Sequence, residues 1–398
     1  MSIFDQMPLL PDDPILGLVE KFKQDSRPEK VDLSVGVYRN EKLETIKFGS
    51  VLDAEKKILE NEVTKNYLPI QGMAPYLQKS KELVFGKELT DEIGGRIFAA
   101  QTVGATAALR ISCEIISKYI NKNIFVSNPT WPNHIKIAKA TGLNVSSYPY
   151  YNGKEHKVDF DRFYTFLEQA LEKSVILIQP SCHNPTGCDL TQNQWRQLLP
   201  IFQKKNLIPF FDMAYQGLGH GFDEDAFPIR LFAKEGQEFF LATSYSKNFG
   251  LYGERVGCLF IITKDREQYR NISSVVKSTI REMYSNPPIH GAAIVSEILT
   301  DPSLREKWLA EVSAVRKRIQ NIREKFAALL IKETDNDELV FLKDRFGLFS
   351  YSGLAKEQVD RLMKEFAIYM TSSGRINITG LNDKNMPYVV EAIAKVSR

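Results

Sequence analysis

The sequence predicts an α/β protein. A large domain is expected to carry a mostly parallel sheet covered by helices on both faces, a three-layer α/β/α arrangement, and to be joined to a smaller α+β domain. Three observations lead there. Short apolar runs recur through the middle of the chain, helical patterns separate most of them, and one long helical pattern replaces the alternation after Asp301. At 398 residues the chain also exceeds the usual size of one domain.

The apolar runs are Ile124–Val126, Val175–Ile178, Ile208–Phe211, Phe239–Leu241 and Cys258–Ile262. Each is continuously apolar, as expected of strands covered on both faces. Between two of them, Leu190–Lys204 places Trp195, Leu198, Leu199 and Phe202 at helical spacing. From Asp301-Pro302-Ser303 onward, Leu304, Trp308, Val312, Val315, Ile319, Ile322, Phe326 and Leu329 recur every three or four positions. That spacing predicts a helix of about 28 residues with an Asp or Ser cap and Pro in its first turn. At 1.5 Å per residue it would run ~40 Å, enough to leave one domain and enter another. The expected organisation is an N-terminal arm at 1–12, a first part of the small domain at 13–44, the large domain at 45–313, and the rest of the small domain at 314–398.

Composition excludes several partners. Fifty-two basic residues stand against 49 acidic ones, a net charge of +3, too balanced to argue for nucleic acid or an anionic membrane surface. No apolar run is long enough to span a bilayer. The opening MSIFDQMPLLPDDP lacks a basic start, a long apolar stretch and arginine, so neither a secretory signal nor a transit peptide is expected, and the cytoplasm is the expected location. Its Ile3, Phe4, Met7, Leu9 and Leu10 suit an arm that packs on another subunit or on its own chain. Cys113, Cys182, Cys188 and Cys258 lack paired spacing, which points to reduced thiols. Cys182-His183 with Cys188 has no second pair of ligands, so no metal is expected.

Three polar residues each follow an apolar run: Asn184 in QPSCHNPTG, Asp212 in PFFDMAYQG and Lys247 in SYSKNFGLYGERVG. Taken singly, Asn184 is a turn former, Asp212 a helix cap and Lys247 a solvated loop lysine. Taken together, they lie where an open α/β sheet binds ligands, beyond the carboxyl ends of its strands. A partly desolvated lysine becomes an amine nucleophile whose natural partner is an aldehyde. A buried aspartate can hold a pyridinium nitrogen protonated. The segment TVGATAALR, from Thr102 to Arg110, opens a helix with small residues and so presents N–H groups to an anion. Arg255 adds a cationic fork. These requirements meet in pyridoxal 5′-phosphate. Trp131, in SNPTWPNH, would stack on its ring or serve as an ordinary core tryptophan. A nicotinamide-dependent dehydrogenase is the rival reading, because GLGHG at Gly217–Gly221 imitates a dinucleotide turn. The carboxylates of Phe222-Asp223-Glu224-Asp225 would repel a pyrophosphate there.

Together with NYLPIQG, SNPP and SSGRINITG, these motifs resemble the class I, fold-type I aminotransferases, closest to the aspartate and aromatic amino acid subgroup, over nearly the whole chain from DPILGL at Asp13 onward. The resemblance implies that Lys247 forms the Schiff base and then shuttles the substrate proton. It implies that Asp212 pairs with the pyridinium N–H, and that Asn184 and Tyr215 bond the ring oxygen. Trp131 would stack on the ring with His134 behind it. Gly104, Ala105, Thr106, Ser244 and Arg255 would bind the phosphate, joined by Tyr67 of the other subunit. Arg375 would clamp the substrate α-carboxylate and Arg281 would cross the interface to a distal one, with Val35, Gly36, Trp131 and Asn184 around the substrate. The implied protein is a homodimer with shared active sites and small-molecule substrates. It would move the amino group of L-aspartate to 2-oxoglutarate by a ping-pong scheme, with an aromatic amino acid donor as the alternative. A non-catalytic relative, a lyase and a racemase share the fold; two carboxylate-binding arginines favour transamination. The sequence departs from the subgroup at Ala105, where a glycine is common, and at Gln179, where histidine is common behind the cofactor. The second departure is expected to alter the hydrogen bonding around the ring.

Overall fold

The computed structural model describes residues 2–10 and 16–398. The end of the expected arm and the start of the segment beginning at 13 therefore lie outside the described residues. A seven-stranded sheet organises the chain. Its strands are β1 (Ile97–Val103), β2 (Asn123–Asn128), β3 (Asn144–Pro149), β4 (Val175–Ile178), β5 (Ile208–Met213), β6 (Phe239–Ser244) and β7 (Val256–Ile262). They lie side by side as β1-β7-β6-β5-β4-β2-β3. All pairings are parallel except those of β7, which runs antiparallel to both β1 and β6.

All five apolar runs read from the sequence are strands of this sheet. β1 and β3 were not among them, for different reasons. β1 is almost wholly buried but built partly from Ala99, Ala100, Gln101 and Thr102, which dilute the apolar signal. β3 is an edge strand with Ser146 and Ser147 both exposed, so it is only partly covered.

Side chains alternate between the two faces of the sheet. On one face Phe98, Leu177, Phe210, Phe240 and Leu259 pack with residues of α1 (Gly104–Tyr119). On the other, Ile176, Phe211, Leu241 and Phe260 pack with Trp195, Leu198 and Phe202 of α2 (Gln192–Lys204). A capping box starts α2: Thr191 accepts from the Gln194 N–H and the Gln194 side chain accepts from the Thr191 N–H.

The long C-terminal helix, α3 (Pro302–Thr334), has 33 residues, longer than its apolar repeat predicts. Asp301 caps it, accepting from the N–H groups of Ser303 and Leu304 at 2.8 and 3.0 Å. The apolar face runs to Leu330, which is buried, whereas Leu329 is exposed. A step of three from Phe326 falls short of the stripe there, and a step of four keeps to it. Early in α3, Trp308 donates from Nε1 to the Asn248 carbonyl at 2.8 Å and stacks on Phe249 at 4.3 Å. Glu311 accepts from the N–H groups of Gly49 and Ser50, and Arg316 donates to the Gly217 carbonyl at 2.7 Å. Two small two-stranded sheets stand apart from the central one. Val31–Asp32 pairs in parallel with Ile368–Tyr369, and Phe349–Tyr351 pairs antiparallel with Arg375–Asn377.

Trp308→Ala removes a fully buried ring and leaves the Asn248 carbonyl without its donor. The expected cost is about 3–5 kcal/mol of unfolding free energy, read as a lowered urea midpoint at unchanged m-value.

Candidate active site

β4, β5 and β6 are neighbours and parallel. Their carboxyl ends therefore deliver the segments containing Asn184, Asp212 to Tyr215, and Lys247 to one edge of the sheet.

Lys247 keeps some surface open to the cleft but is enclosed by protein. Burial pushes its pKa down to about 8; the positive charge of Arg255 adds to this and the negative charge of Asp212 opposes it. Its Nζ lies 5.1 Å from the centre of the Tyr215 ring. Backbone ties fix the two relative to each other: Asn248 donates from Nδ2 to the Gln216 carbonyl at 3.0 Å, and Trp308 holds the Asn248 carbonyl from behind. Burial also raises the pKa of the Tyr215 phenol.

Asp212 is 6% exposed. Its Oδ2 lies 2.8 Å from Nε2 of His134, whose Nδ1 lies 2.8 Å from the Thr130 hydroxyl. An ionised carboxylate only accepts, so toward it His134 is the donor, from Nε2, while the Thr130 hydroxyl engages Nδ1. Trp131 meets the His134 ring edge-on at 5.3 Å. Oδ1 of Asp212 is buried and has no hydrogen-bond partner among the described residues. Leaving a buried acceptor unmatched costs about 1–3 kcal/mol, so this oxygen suits a donor brought by a ligand.

Arg375 is 4% exposed and forms no ion pair among the described residues. It donates from Nη2 to the Ser34 carbonyl at 2.7 Å and from Nη1 to Oδ1 of Asn184 at 3.4 Å. Its guanidinium sits 4.2 Å from the centre of the Phe349 ring, while its buried Nε has no partner. Burial lowers its pKa. A guanidinium enclosed this way without counter-charge is matched to a carboxylate ligand. Asn377 donates from Nδ2 to the carbonyls of Val35 and Val37 at 2.5 and 2.7 Å, which places Val35 and Gly36 beside Arg375. A Cβ on Gly36 would stand 3.0 Å from Cζ of Phe349.

The third part of the site lies at the N-terminus of α1. Gly104 has φ +66°, donates its N–H to the Arg255 carbonyl at 3.0 Å, and leaves no room for a Cβ, which would stand 2.5 Å from Nη2 of Arg255. Under the same turn passes Gly257 of β7, whose Cβ would strike the Gly104 carbonyl carbon at 2.5 Å and the Ala105 nitrogen at 2.7 Å. Arg255 donates to the Ser246 hydroxyl at 3.3 Å, and the Ser246 N–H donates to the Ser244 hydroxyl at 3.2 Å. Gly104, Ala105, Thr106, Ser244 and Arg255 thus gather where the opening N–H groups of a 16-residue helix lack any side-chain cap. A helix N-terminus with a guanidinium beside it attracts an anion.

Two expected site residues stand apart from this cleft in the single chain. Tyr67 is 90% exposed. Arg281 is exposed near the end of the helix Arg266–Met283, donates to the Ser285 hydroxyl, and has no carboxylate partner among the described residues. Their segments are linked, since Asn286 donates from Nδ2 to the Leu68 carbonyl at 2.7 Å. The Gly217–Gly221 turn is closed to a pyrophosphate: the Asp225 carboxylate accepts from the N–H groups of Gly217, Gly219 and His220 at 2.8, 3.0 and 2.9 Å. Gln179, expected near the ring, instead bonds the backbone of Asn184 at both ends of its carboxamide. Sequence reasoning missed Ser246, Asn248, Phe349 and Asn377. Of these, Ser246 and Asn248 flank Lys247, and Asn377 lies two positions past Arg375; adjacency in the motif was the available signal.

Comparison with known proteins agrees with this geometry. Residues 28–393 match the family described as Aminotransferase class I and II. The chain is 43% identical over 395 residues to a protein of Escherichia coli (strain K12) named aspartate aminotransferase, covering 99% of this chain and 100% of that one. The crystal structure of an aromatic-amino-acid aminotransferase from Burkholderia pseudomallei, covalently bound to pyridoxal phosphate, superposes with a TM-score of 0.96 at 41% identity, covering 100% of both chains. A psychrophilic aromatic amino acid aminotransferase from Psychrobacter sp. B6, cocrystallised with aspartic acid, gives 0.97 at 38% identity, again over 100% of both chains.

A base whose pKa is lowered loses its proton at lower pH. In the ligand-free protein, acetylation of Lys247 by acetic anhydride, followed by mass spectrometry of its peptide, is expected to rise with pH and level off above about 8. Exposed lysines should keep gaining reactivity toward their ordinary pKa of ~10.4. A Lys247 profile that follows the exposed lysines would contradict the burial argument.

Proposed function

The chain belongs to the class I and II aminotransferase family, and we propose that it transfers the amino group of L-aspartate to 2-oxoglutarate, yielding oxaloacetate and L-glutamate by a ping-pong scheme. The observation that carries this reading is a pair of guanidinium groups free of carboxylate partners among the described residues: Arg375, buried beside Asn184, and Arg281, exposed on the linked 281–286 segment. Two such groups fit a substrate with two carboxylates, which arginine binds through paired donors without risk of losing its proton. The second reading is an aromatic donor. Among the described residues Arg281 is held only by the neutral Ser285 hydroxyl, a tie weak enough to let the side chain turn away from an apolar substrate, and the structural relatives include aromatic enzymes.

The cofactor is pyridoxal 5′-phosphate, and the residues fit it. The unpartnered Oδ1 of Asp212 suits the ring N–H, the Gly104 turn over Gly257 leaves backbone room for a phosphate, and Lys247 offers an enclosed amine. Asn184 and Tyr215 would hold the ring oxygen and Trp131 its face. Gly104, Ala105, Thr106, Ser244 and Arg255 would hold the phosphate. When bound, this group supplies an electron-withdrawing ring that takes up the charge left when the substrate loses its Cα proton. Lys247 carries that proton on Nζ; its lowered pKa keeps part of the amine neutral near pH 8, ready to accept it. Asp212, held by His134, keeps its negative charge directed at the ring nitrogen. Arg375 orients the substrate by its α-carboxylate, with Val35 and Gly36 closing over it and excluding water.

Tyr67 and Arg281 are exposed in the single chain, which supports a homodimer in which each subunit completes the other's site. The exposed Ile3, Phe4, Met7, Leu9 and Leu10 support an arm that packs on that partner. Residues 13–44 and 314–398 would form the smaller domain that brings Val35, Gly36 and Arg375 to the larger one. No described helix is long and apolar enough to cross a membrane, and the cytoplasm is the proposed location.

Arg281→Leu separates the two donor classes. Losing a charge-paired carboxylate contact costs about 3 kcal/mol. Hence kcat/KM for aspartate should fall ~100-fold while that for phenylalanine stays within about threefold. An equal fall for both donors would refute the assigned role of Arg281.

A further inference from the structure

We propose that Gln179 is a positioning residue for the reaction: it sets the Asn184 carboxamide between the cofactor ring and Arg375. The proposal deepens the reading above and rests on Asn184 facing the cofactor.

Gln179 directly follows β4 and is buried. Its carboxamide closes a ring on the backbone of one other residue. The Asn184 N–H donates to Oε1 at 2.9 Å, and Nε2 donates to the Asn184 carbonyl at 3.0 Å. Both polar ends are thereby spent on Asn184, and the Asp212 carboxylate is served by His134 instead. The residue so gripped aims its own Oδ1 at Nη1 of Arg375. One buried amide therefore fixes the peptide from which a cofactor contact and a substrate-clamp contact both project.

The rest of the loop does not depend on Gln179. Asp189 accepts from the N–H groups of Cys182 and His183 at 2.6 and 2.8 Å. The His183 ring sits between the Ser127 hydroxyl at 3.0 Å and the Thr186 hydroxyl at 2.8 Å and stacks on Tyr150 at 4.2 Å. With these ties in place, losing the Gln179 clasp should free the Asn184 peptide to rotate while the loop keeps its path. The consequence is specific: the ring oxygen and the α-carboxylate clamp are disturbed together.

The test compares Gln179→Met, which keeps length and volume without hydrogen bonding, with Gln179→Glu, which keeps an acceptor for the Asn184 N–H, and with Asn184→Ala as reference. Each is loaded with pyridoxal 5′-phosphate. Two readouts besides turnover are taken: the pH at which the bound cofactor's visible absorption changes, and the dissociation constant of the unreactive dicarboxylate maleate. Gln179→Met is expected to move the absorption pH in the same direction as Asn184→Ala by about half a unit. It should weaken maleate about fivefold, the scale of one lost neutral hydrogen bond, and raise the KM for aspartate more than it lowers kcat. Gln179→Glu should fall between Gln179→Met and the unaltered protein. If Gln179→Met lowers only the thermal midpoint and leaves both readouts unmoved, the residue is merely structural and the proposal fails. A shift opposite to that of Asn184→Ala also overturns it. If Asn184→Ala itself leaves the absorption unchanged, the placement of Asn184 at the cofactor is wrong, and the proposal falls with it.

Discussion

An amine removed from water beside one carboxylate is the interaction around which this molecule is arranged. Burial favours the neutral form of Lys247 and the nearby negative charge of Asp212 opposes it, and the balance leaves the amine close to its titration point near pH 8. The fold achieves this by ending two adjacent parallel strands, β5 and β6, at the same edge. It then ties the loops that follow with neutral bonds, Asn248 to Gln216 and Trp308 to Asn248. Lys247 forms no ion pair with a carboxylate among the described residues, Asp212 acting on it only at longer range, so its proton is not locked in place.

The same logic extends to the cations around it. Arg375 is held by a carbonyl, an amide oxygen and an aromatic face, and Arg255 by a carbonyl and a hydroxyl. These neutral partners orient a guanidinium without cancelling its charge, so the site remains positive where an anionic phosphate and carboxylates would bind. Carboxylates near the cleft are instead spent on backbone N–H groups. Asp225 fills the 217–220 turn and Asp189 the 182–183 turn, with burial raising the pKa of both, that of Asp189 to about 7. Loops are thereby stiffened without placing a competing anion against the arginines.

Much of this was legible in the sequence, for identifiable reasons. A strand buried on both faces is a continuous apolar run, so the central strands could be read directly, whereas edge strand β3, with its exposed serines, could not. Lys247, Asp212 and Asn184 stood out because each polar residue comes within a few positions after such a run, where a parallel sheet gathers its ligand groups. The expectations for Tyr67 and Arg281 came only from family resemblance: folded alone, the chain leaves both exposed, and nothing in its own packing marks them as site residues. Of the supports behind the site, Asn248, Phe349 and Asn377 act through backbone bonds and ring contacts made only after distant segments meet, while Gln179 acts within its own loop. Such contacts carry no sequence period. The helix from Pro302 shows the same limit, because its repeat was clear but the choice between Leu329 and Leu330 at its end was set by packing.

The central claim is that one enclosed amine, that of Lys247, receives the cofactor. Reduction of the pyridoxal 5′-phosphate-loaded protein with borohydride, followed by peptide mapping, tests it most directly. The account predicts a single pyridoxyl-labelled peptide carrying Lys247, with no comparable label on any other lysine. Label found elsewhere, or Lys247 left unmodified in fully loaded protein, would contradict it.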